Sequence, residues 1–250
     1  MNPNPPWILL RGLVRDARHW GAFPAQLAEA LGGATVVAID LPGNGARCAQ
    51  RSPTRIAEMA ADVRGELQRL APAPRYRVLA MSLGGMVAAA WADAYPQELD
   101  AVALINTSLK PFSPFWQRLR PAAYPAVLRT LIDGDVRRGE ETILRLTSAA
   151  PDAHRSVVDD WVAWREAQPV SRANALRQLR AAMAYRAPET APAVPMLALV
   201  GLLDGLVDPI CSQRLAARWR LPLAMHPDAG HDLPLDDPAW VIDKLKAWRP

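Results

Sequence analysis

Tyr76-Arg77-Val78-Leu79-Ala80-Met81-Ser82-Leu83-Gly84-Gly85-Met86-Val87-Ala88-Ala89-Ala90 is the stretch on which the fold turns. Its first half is a near-continuous apolar run, which reads as a strand covered on both faces in a parallel sheet. Its second half is a row of small residues that opens a helix. Ser82 stands at the junction. A serine on so sharp a strand-to-helix turn needs small residues two positions either side, here Ala80 and Gly84, because the backbone there is strained and crowded. The helix N-terminus then aims its amide dipoles at negative charge developing beside the hydroxyl. The plainer reading is a serine that caps the helix, and Ser82 alone does not decide between the two.

Outward from this turn, short apolar runs alternate with segments of helical period. Strands are expected at Trp7 to Leu10, Thr35 to Ile39, Tyr76 to Ala80, Ala101 to Ile105, Met196 to Val200 and Leu223 to His226. Helices are expected at Trp20 to Leu31, Ile56 to Leu70, Gly84 to Tyr95, Ser212 to Trp219 and Pro238 to Trp248, each with apolar residues three and four apart. This alternation points to a doubly wound α/β fold with a mainly parallel sheet of about six strands. From Pro111 to Pro188 it stops. That segment carries amphipathic stretches at Pro125 to Ile132, Glu140 to Leu146, Ser156 to Glu166 and Ala173 to Met183, bounded by prolines 111, 114, 188, 192 and 195. The expected organisation is a core of residues 1–110 and 189–250 with a helical insertion at 111–188.

In a parallel sheet the loops after the strands emerge at one edge, so residues distant in sequence converge there. Two such loops carry reactive side chains. Pro195 to Val200 leads into Gly201-Leu202-Leu203-Asp204, and Leu223 to His226 leads into Asp228-Ala229-Gly230-His231. Serine, then acid, then histidine is the chain order of a nucleophile system on such a sheet. A serine hydroxyl does not ionise near neutral pH, so a neutral imidazole must take its proton and return it to a leaving group. A carboxylate on the other ring nitrogen fixes the tautomer. Asp204 is preferred for that role over Asp208, whose position before Pro209 suits a turn or cap. Asp232 and Asp236 read as loop or capping residues. An oxyanion site needs two backbone N–H groups: Leu83 supplies one, and Leu13 the other, with Gly12 letting the loop after the first strand approach.

Taken together, these landmarks resemble the α/β-hydrolase fold family, in particular small bacterial esterases, C–C bond hydrolases and pimeloyl-ester esterases with a helical cap. The resemblance rests on Arg11-Gly12, the Asp40-Leu41-Pro42-Gly43-Asn44-Gly45 loop, Ser82 in its turn, Asp204 in Gly-x-x-Asp, and Ala229-Gly230-His231. It makes 111–188 the cap. It implies a serine hydrolase that cleaves a small or medium ester or thioester through an acyl-enzyme, without cofactor or metal. Related scaffolds use the same triad for C–C bond hydrolysis, perhydrolysis or lyase chemistry, and a non-catalytic binding protein is the remaining alternative. Three departures stand out. Arg11 replaces the usual histidine before Gly12, so the oxyanion loop must be shaped differently, with the Arg11 guanidinium a candidate. Ala80 replaces the first glycine of Gly-x-Ser-x-Gly, and the antiparallel hairpin at the sheet edge is expected to be missing.

Arg11, Gly12, Trp116 and Trp161 are candidates for the substrate pocket. Arginines 118, 120, 137, 138, 177 and 180 of the insertion read as a solvated face rather than a landing site for an acidic substrate or carrier. His19, His154 and His226 read as structural, with His19 near enough to the oxyanion loop to border the pocket.

The 250-residue chain is half apolar, carries a net charge of +4 with both signs interleaved, and has two cysteines, Cys48 and Cys211. No nucleic-acid module, metal-ligand spacing or membrane-length apolar run is present in the sequence. A cytoplasmic enzyme acting on a small molecule is expected, its oligomeric state open.

Overall fold

The computed structural model describes residues 5–132 and 134–248. Strands β1 (Trp7–Leu10), β2 (Val36–Ile39), β3 (Tyr76–Met81), β4 (Leu99–Ile105), β5 (Met196–Gly201) and β6 (Leu223–His226) form one open sheet. Their order is β2-β1-β3-β4-β5-β6, and every neighbouring pair is parallel. The chain moves outward from β1 to β2, then returns to lay β3 on the other side of β1. This reversal opens a crevice between the loops that follow β1 and β3, the place where such sheets bind ligands.

The helices, in chain order, are α1 (Phe23–Ala30), α2 (Ile56–Leu70), α3 (Leu83–Ala94), α4 (Phe115–Arg118), α5 (Tyr124–Ile132), α6 (Val136–Thr147), α7 (Val157–Ala167), α8 (Arg172–Ala184), α9 (Ile210–Trp219), α10 (Leu233–Asp236) and α11 (Pro238–Ala247). Alternate strand residues face opposite sides, and two buried clusters result. Ile8, Leu10, Val78, Ala80 and Leu104 pack with residues of α2, α3 and α9, while Trp7, Leu9, Leu79, Met81 and Ile105 pack with residues of α1 and α11. In α2 the buried positions are Ile56, Met59, Ala60, Val63 and Leu67, the stripe expected from a helical period. The expected helix from Trp20 begins later, because Ala17–Trp20 is a 3₁₀ turn capped by Asp16 and ended at Gly21, before α1.

Between β4 and β5 the chain forms α4 to α8 with no strand among the described residues. It leaves and re-enters at one point, where Lys110 and Arg186 form a parallel bridge. Leu144, Val158 and Trp161 make a small core of their own here. Polar side chains of α8 bind these helices to the sheet's loops. Gln178 donates to Asn44 Oδ1 at 2.7 Å and Ser52 Oγ at 3.1 Å, and accepts from the Val14 N–H at 2.9 Å. Asn174 accepts from the Ser52 N–H at 2.9 Å and donates to the Gln50 carbonyl at 2.8 Å. No described helix is long and apolar enough to cross a membrane.

Candidate active site

Ser82 occupies φ 54° and ψ −117°, a conformation that costs an L-residue energy and persists only where the surroundings enforce it. The enforcement is visible. A Cβ on Gly84 would lie 2.5 Å from the Leu10 carbonyl oxygen and 2.7 Å from that of Arg11, and one on Gly85 would strike the Thr107 side chain. The turn is therefore wedged between the ends of β1 and β4. The Ser82 N–H donates to the Ile105 carbonyl at 2.9 Å, which ties the turn to β4. Ala80 carries its methyl without disturbance: it is fully buried and in register between Leu10 and Leu104.

His231 is buried on the loop after β6, and its Nδ1 lies 2.6 Å from Oδ2 of the equally buried Asp204 on the loop after β5. The other carboxylate oxygen of Asp204 accepts from the N–H groups of Leu206 and Val207, each at 2.8 Å. With both oxygens held, the carboxylate fixes the ring proton on Nδ1 and leaves Nε2 as the basic nitrogen. Asp208 instead accepts from the Ile210 N–H at 3.0 Å, at the start of α9. Ser82 and His231 line one cavity, of about 180 Å³, together with Arg11, Gly12, Leu13 and Leu83. A Cβ on Gly12 would stand 3.1 Å from the Ser82 Cβ and 3.5 Å from its hydroxyl. Leu83 is the first residue of α3, where backbone N–H groups have no partner inside the helix.

Two supports escaped the sequence reading. Asn106, at φ 46° just beyond β4, donates to the Gly230 carbonyl at 3.0 Å and the His231 carbonyl at 2.7 Å, and accepts from the Gly201 N–H at 3.0 Å. One amide thus joins the ends of β4 and β5 to the histidine loop. An asparagine immediately after a strand was the available signal, since Asn tolerates positive φ. The second support is Asp232, expected to be a loop or capping residue. It does start α10, and its side chain also receives both terminal nitrogens of Arg11, at 3.0 and 2.5 Å. Both residues are nearly inaccessible, and Arg11 lies over the Trp20 ring, 4.9 Å from its centroid. Burial pushes the Asp232 carboxyl up, but the Arg11 charge and hydrogen bonds outweigh it and hold the group below the usual carboxylate range. Arg11 thereby clamps the loop after β1 to the loop that carries His231.

Expectations for four residues are corrected. Trp116 does not line the cavity; it is half exposed on α4 with its ring edge against Phe115. Trp161 is buried in the small core of the inserted helices, under the Arg15 guanidinium and beside the His19 ring. The apolar stripe of a helix faces its packed side, and on α7 the buried positions are Val158 and Trp161. Arg118, read as part of a solvated face, is half-buried and lines the cavity. His19 is enclosed by Asp16, Arg15, Trp161 and Trp164 and does not border the cavity. Among the described residues no group of His, Cys, Asp and Glu has the arrangement of a metal site.

An open parallel sheet with a strained serine after β3 and a His–Asp pair on the loops after β6 and β5 defines an enzyme of the α/β-hydrolase class. The chain matches the alpha/beta hydrolase family over residues 7–244 and belongs to it. It is 28% identical over 245 residues to the pimeloyl-[acyl-carrier protein] methyl ester esterase of Pectobacterium carotovorum, with 90% of this chain and 91% of that one covered. Among solved structures it resembles a thermophilic esterase from Thermogutta terrifontis (TM-score 0.75, 22% identity, 99% of this chain and 90% of that one). It also resembles the 2-hydroxy-6-oxo-6-phenylhexa-2,4-dienoate hydrolase of a Rhodococcus strain (TM-score 0.78, 19% identity, 96% and 89%).

Proposed function

We propose that this hydrolase cleaves a small or medium carboxylic ester or thioester through an acyl-enzyme on Ser82. The observation that carries the reading is the buried 2.6 Å His231–Asp204 contact at the cavity that also holds the strained Ser82. His231 Nε2 takes the Ser82 proton as the oxygen bonds to the acyl carbon, and returns it to the leaving oxygen or sulfur when that bond breaks. Water then attacks the acyl-enzyme, giving its proton to the same nitrogen, and Ser82 regains a proton as the acid departs. Asp204 orients the imidazole and stabilises its charged form. The N–H groups of Leu13 and Leu83 receive the oxyanion, with Gly12 leaving the loop room to approach. The helices of 111–188 act as a cap on a core of 1–110 and 189–250, excluding water and so strengthening these contacts. The relative that hydrolyses a methyl ester supports this substrate class. Cys48 and Cys211, both free thiols, support a cytoplasmic setting.

A fluorophosphonate probe is expected to label the wild-type protein at Ser82 and to leave Ser82→Ala unlabelled. Wild-type protein that resists the probe while folded overturns the reading.

A further inference from the structure

Three arginines line the cavity, and their partners differ. Arg11 is matched by Asp232. Arg15 shares the buried Glu140 with Arg165, at 2.5 and 2.9 Å. The Arg118 side chain makes one hydrogen bond among the described residues, from Nη2 to the Ala182 carbonyl at 2.6 Å, and no carboxylate among them pairs with it. Its Nε is buried without a partner.

Among the described residues no carboxylate balances this charge. The acidic group whose field reaches Arg118 is the Cys211 thiol, which burial pushes up to about 11 and so keeps neutral. Burial lowers the Arg118 pKa from its ordinary value, yet a guanidinium remains protonated at any pH a cell offers. A cation partly withdrawn from water without a carboxylate is costly, and charged groups perturbed by burial in a cleft cluster at functional sites. The surroundings are apolar: Met86, Leu119, Ala182, Leu206 and Val207 line the same cavity. Few polar groups in an apolar cleft are the usual means of orienting a small ligand. The volume of about 180 Å³ is comparable to an apolar cavity of about 150 Å³ that accepts benzene, which sets the ligand body at about six carbons.

We infer that Arg118 is an anion-recognition residue, and that the substrate is a carboxylate-bearing ester or thioester with a short apolar body, its carboxylate paired with Arg118 while its carbonyl meets Ser82. The inference rests on the reading of Ser82 as nucleophile. A planar carboxylate suits the guanidinium fork, which can donate two parallel hydrogen bonds. The competing account is that Arg118 only holds a carbonyl near the C-terminal end of α8, as basic side chains do at helix ends.

The test compares matched esters. On the acyl side these are mono-p-nitrophenyl adipate and p-nitrophenyl hexanoate; on the alcohol side, 6-acetoxyhexanoate and hexyl acetate. The wild-type kcat/KM is expected to favour the acid over its neutral partner by about tenfold or more in one of the two pairs. Arg118→Met is expected to erase that ratio and Arg118→Lys to keep part of it. Because the readout is a ratio within one protein, a loss common to both esters, as from a loosened α8, cancels. Binding gives a readout without turnover: in the Ser82→Ala background, monomethyl adipate should bind about tenfold tighter than methyl hexanoate, and adding Arg118→Met should remove the difference. No preference in either pair and in binding, or a preference that survives Arg118→Met, overturns the inference. Labelling of Ser82 by the fluorophosphonate separates the two failures: a labelled enzyme without acid preference sinks the role of Arg118 alone, and an unlabelled one sinks the nucleophile reading.

Discussion

Gly12 and Ser82 approach so closely that a single methyl group separates the site from a blocked one. Gly12→Ala would put a carbon 3.1 Å from the Ser82 Cβ, and since small misplacements of reacting groups are costly, kcat is expected to fall about 10- to 100-fold with little change in Tm. Asp204→Asn should keep the fold but favour the wrong imidazole tautomer, lowering kcat by about 10⁴, measured on a p-nitrophenyl ester. The Arg11–Asp232 pair behaves differently. Asp232→Asn leaves a buried guanidinium uncompensated and should cost about 3–5 kcal/mol in denaturant unfolding, whereas the double variant R11M/D232L should recover most of it. The pair also sets a pH response. A carboxyl held below its ordinary 3.8 contributes stability that is complete above that value and is lost as pH falls through the lower folded one. Wild-type protein should therefore lose stability below about pH 4 more steeply than the double variant, as followed by unfolding at a series of acid pH values.

At the scale of elements, the inserted helices meet the sheet's loops through buried polar side chains as well as apolar contact. Gln178 satisfies three groups from two core loops, the Val14 N–H, the Asn44 side chain and the Ser52 hydroxyl. Gln178→Met removes all three partners at once while keeping the volume similar. A loss of about 1–3 kcal/mol is expected, the cost of leaving a buried polar group unsatisfied. Hydrogen exchange should rise over α8 and the 42–52 loop before it rises in the strands, because that seam is where the inserted helices meet the core. Uniform exchange across the chain would mean that the two parts open as one.

Across the whole molecule, one buried histidine makes stability depend on pH in the range where enzymes are assayed. His19 sits on the loop after β1 and packs against Trp161 and Trp164 of α7, its Nε2 2.9 Å from an Arg15 nitrogen and its Nδ1 3.1 Å from Asp16. Arg15 can only donate, so Nε2 is the acceptor and the ring proton sits on Nδ1 facing the Asp16 carboxylate, with the Asp16 N–H 3.2 Å from that same nitrogen. A proton on Nε2 would break the Arg15 bond and set two cations together. Burial first, then the Arg15 charge, lowers the pKa from 6.5 to about 4 against the pull of Asp16. Between those values the unfolded chain binds a proton that the folded chain refuses, so stability rises with pH from 4 to 6.5, by about 3 kcal/mol over the window. His19→Gln, measured by unfolding at pH 4.5 and pH 7, should flatten that rise.

What the sequence determined by itself was whatever follows from local pattern. Apolar runs covered on both faces gave the six strands, and helical period gave the longer helices, with boundaries shifted by a residue or a turn where a cap such as Asp16 intervened, while the one-turn helices α4 and α10 were too short to show a period. Ser82, Asp204 and His231 could be grouped as a candidate site because a parallel sheet delivers every post-strand loop to one edge. What only the tertiary structure decided were pairings between residues with no local reason to meet. Arg11 finds Asp232 across 221 positions, Asn106 joins the ends of β4 and β5 to the histidine loop, Trp161 turns into its own helical core, and Arg118 lines the cavity. A side chain's partner at long range depends on how whole layers dock, and that information is spread over the entire chain.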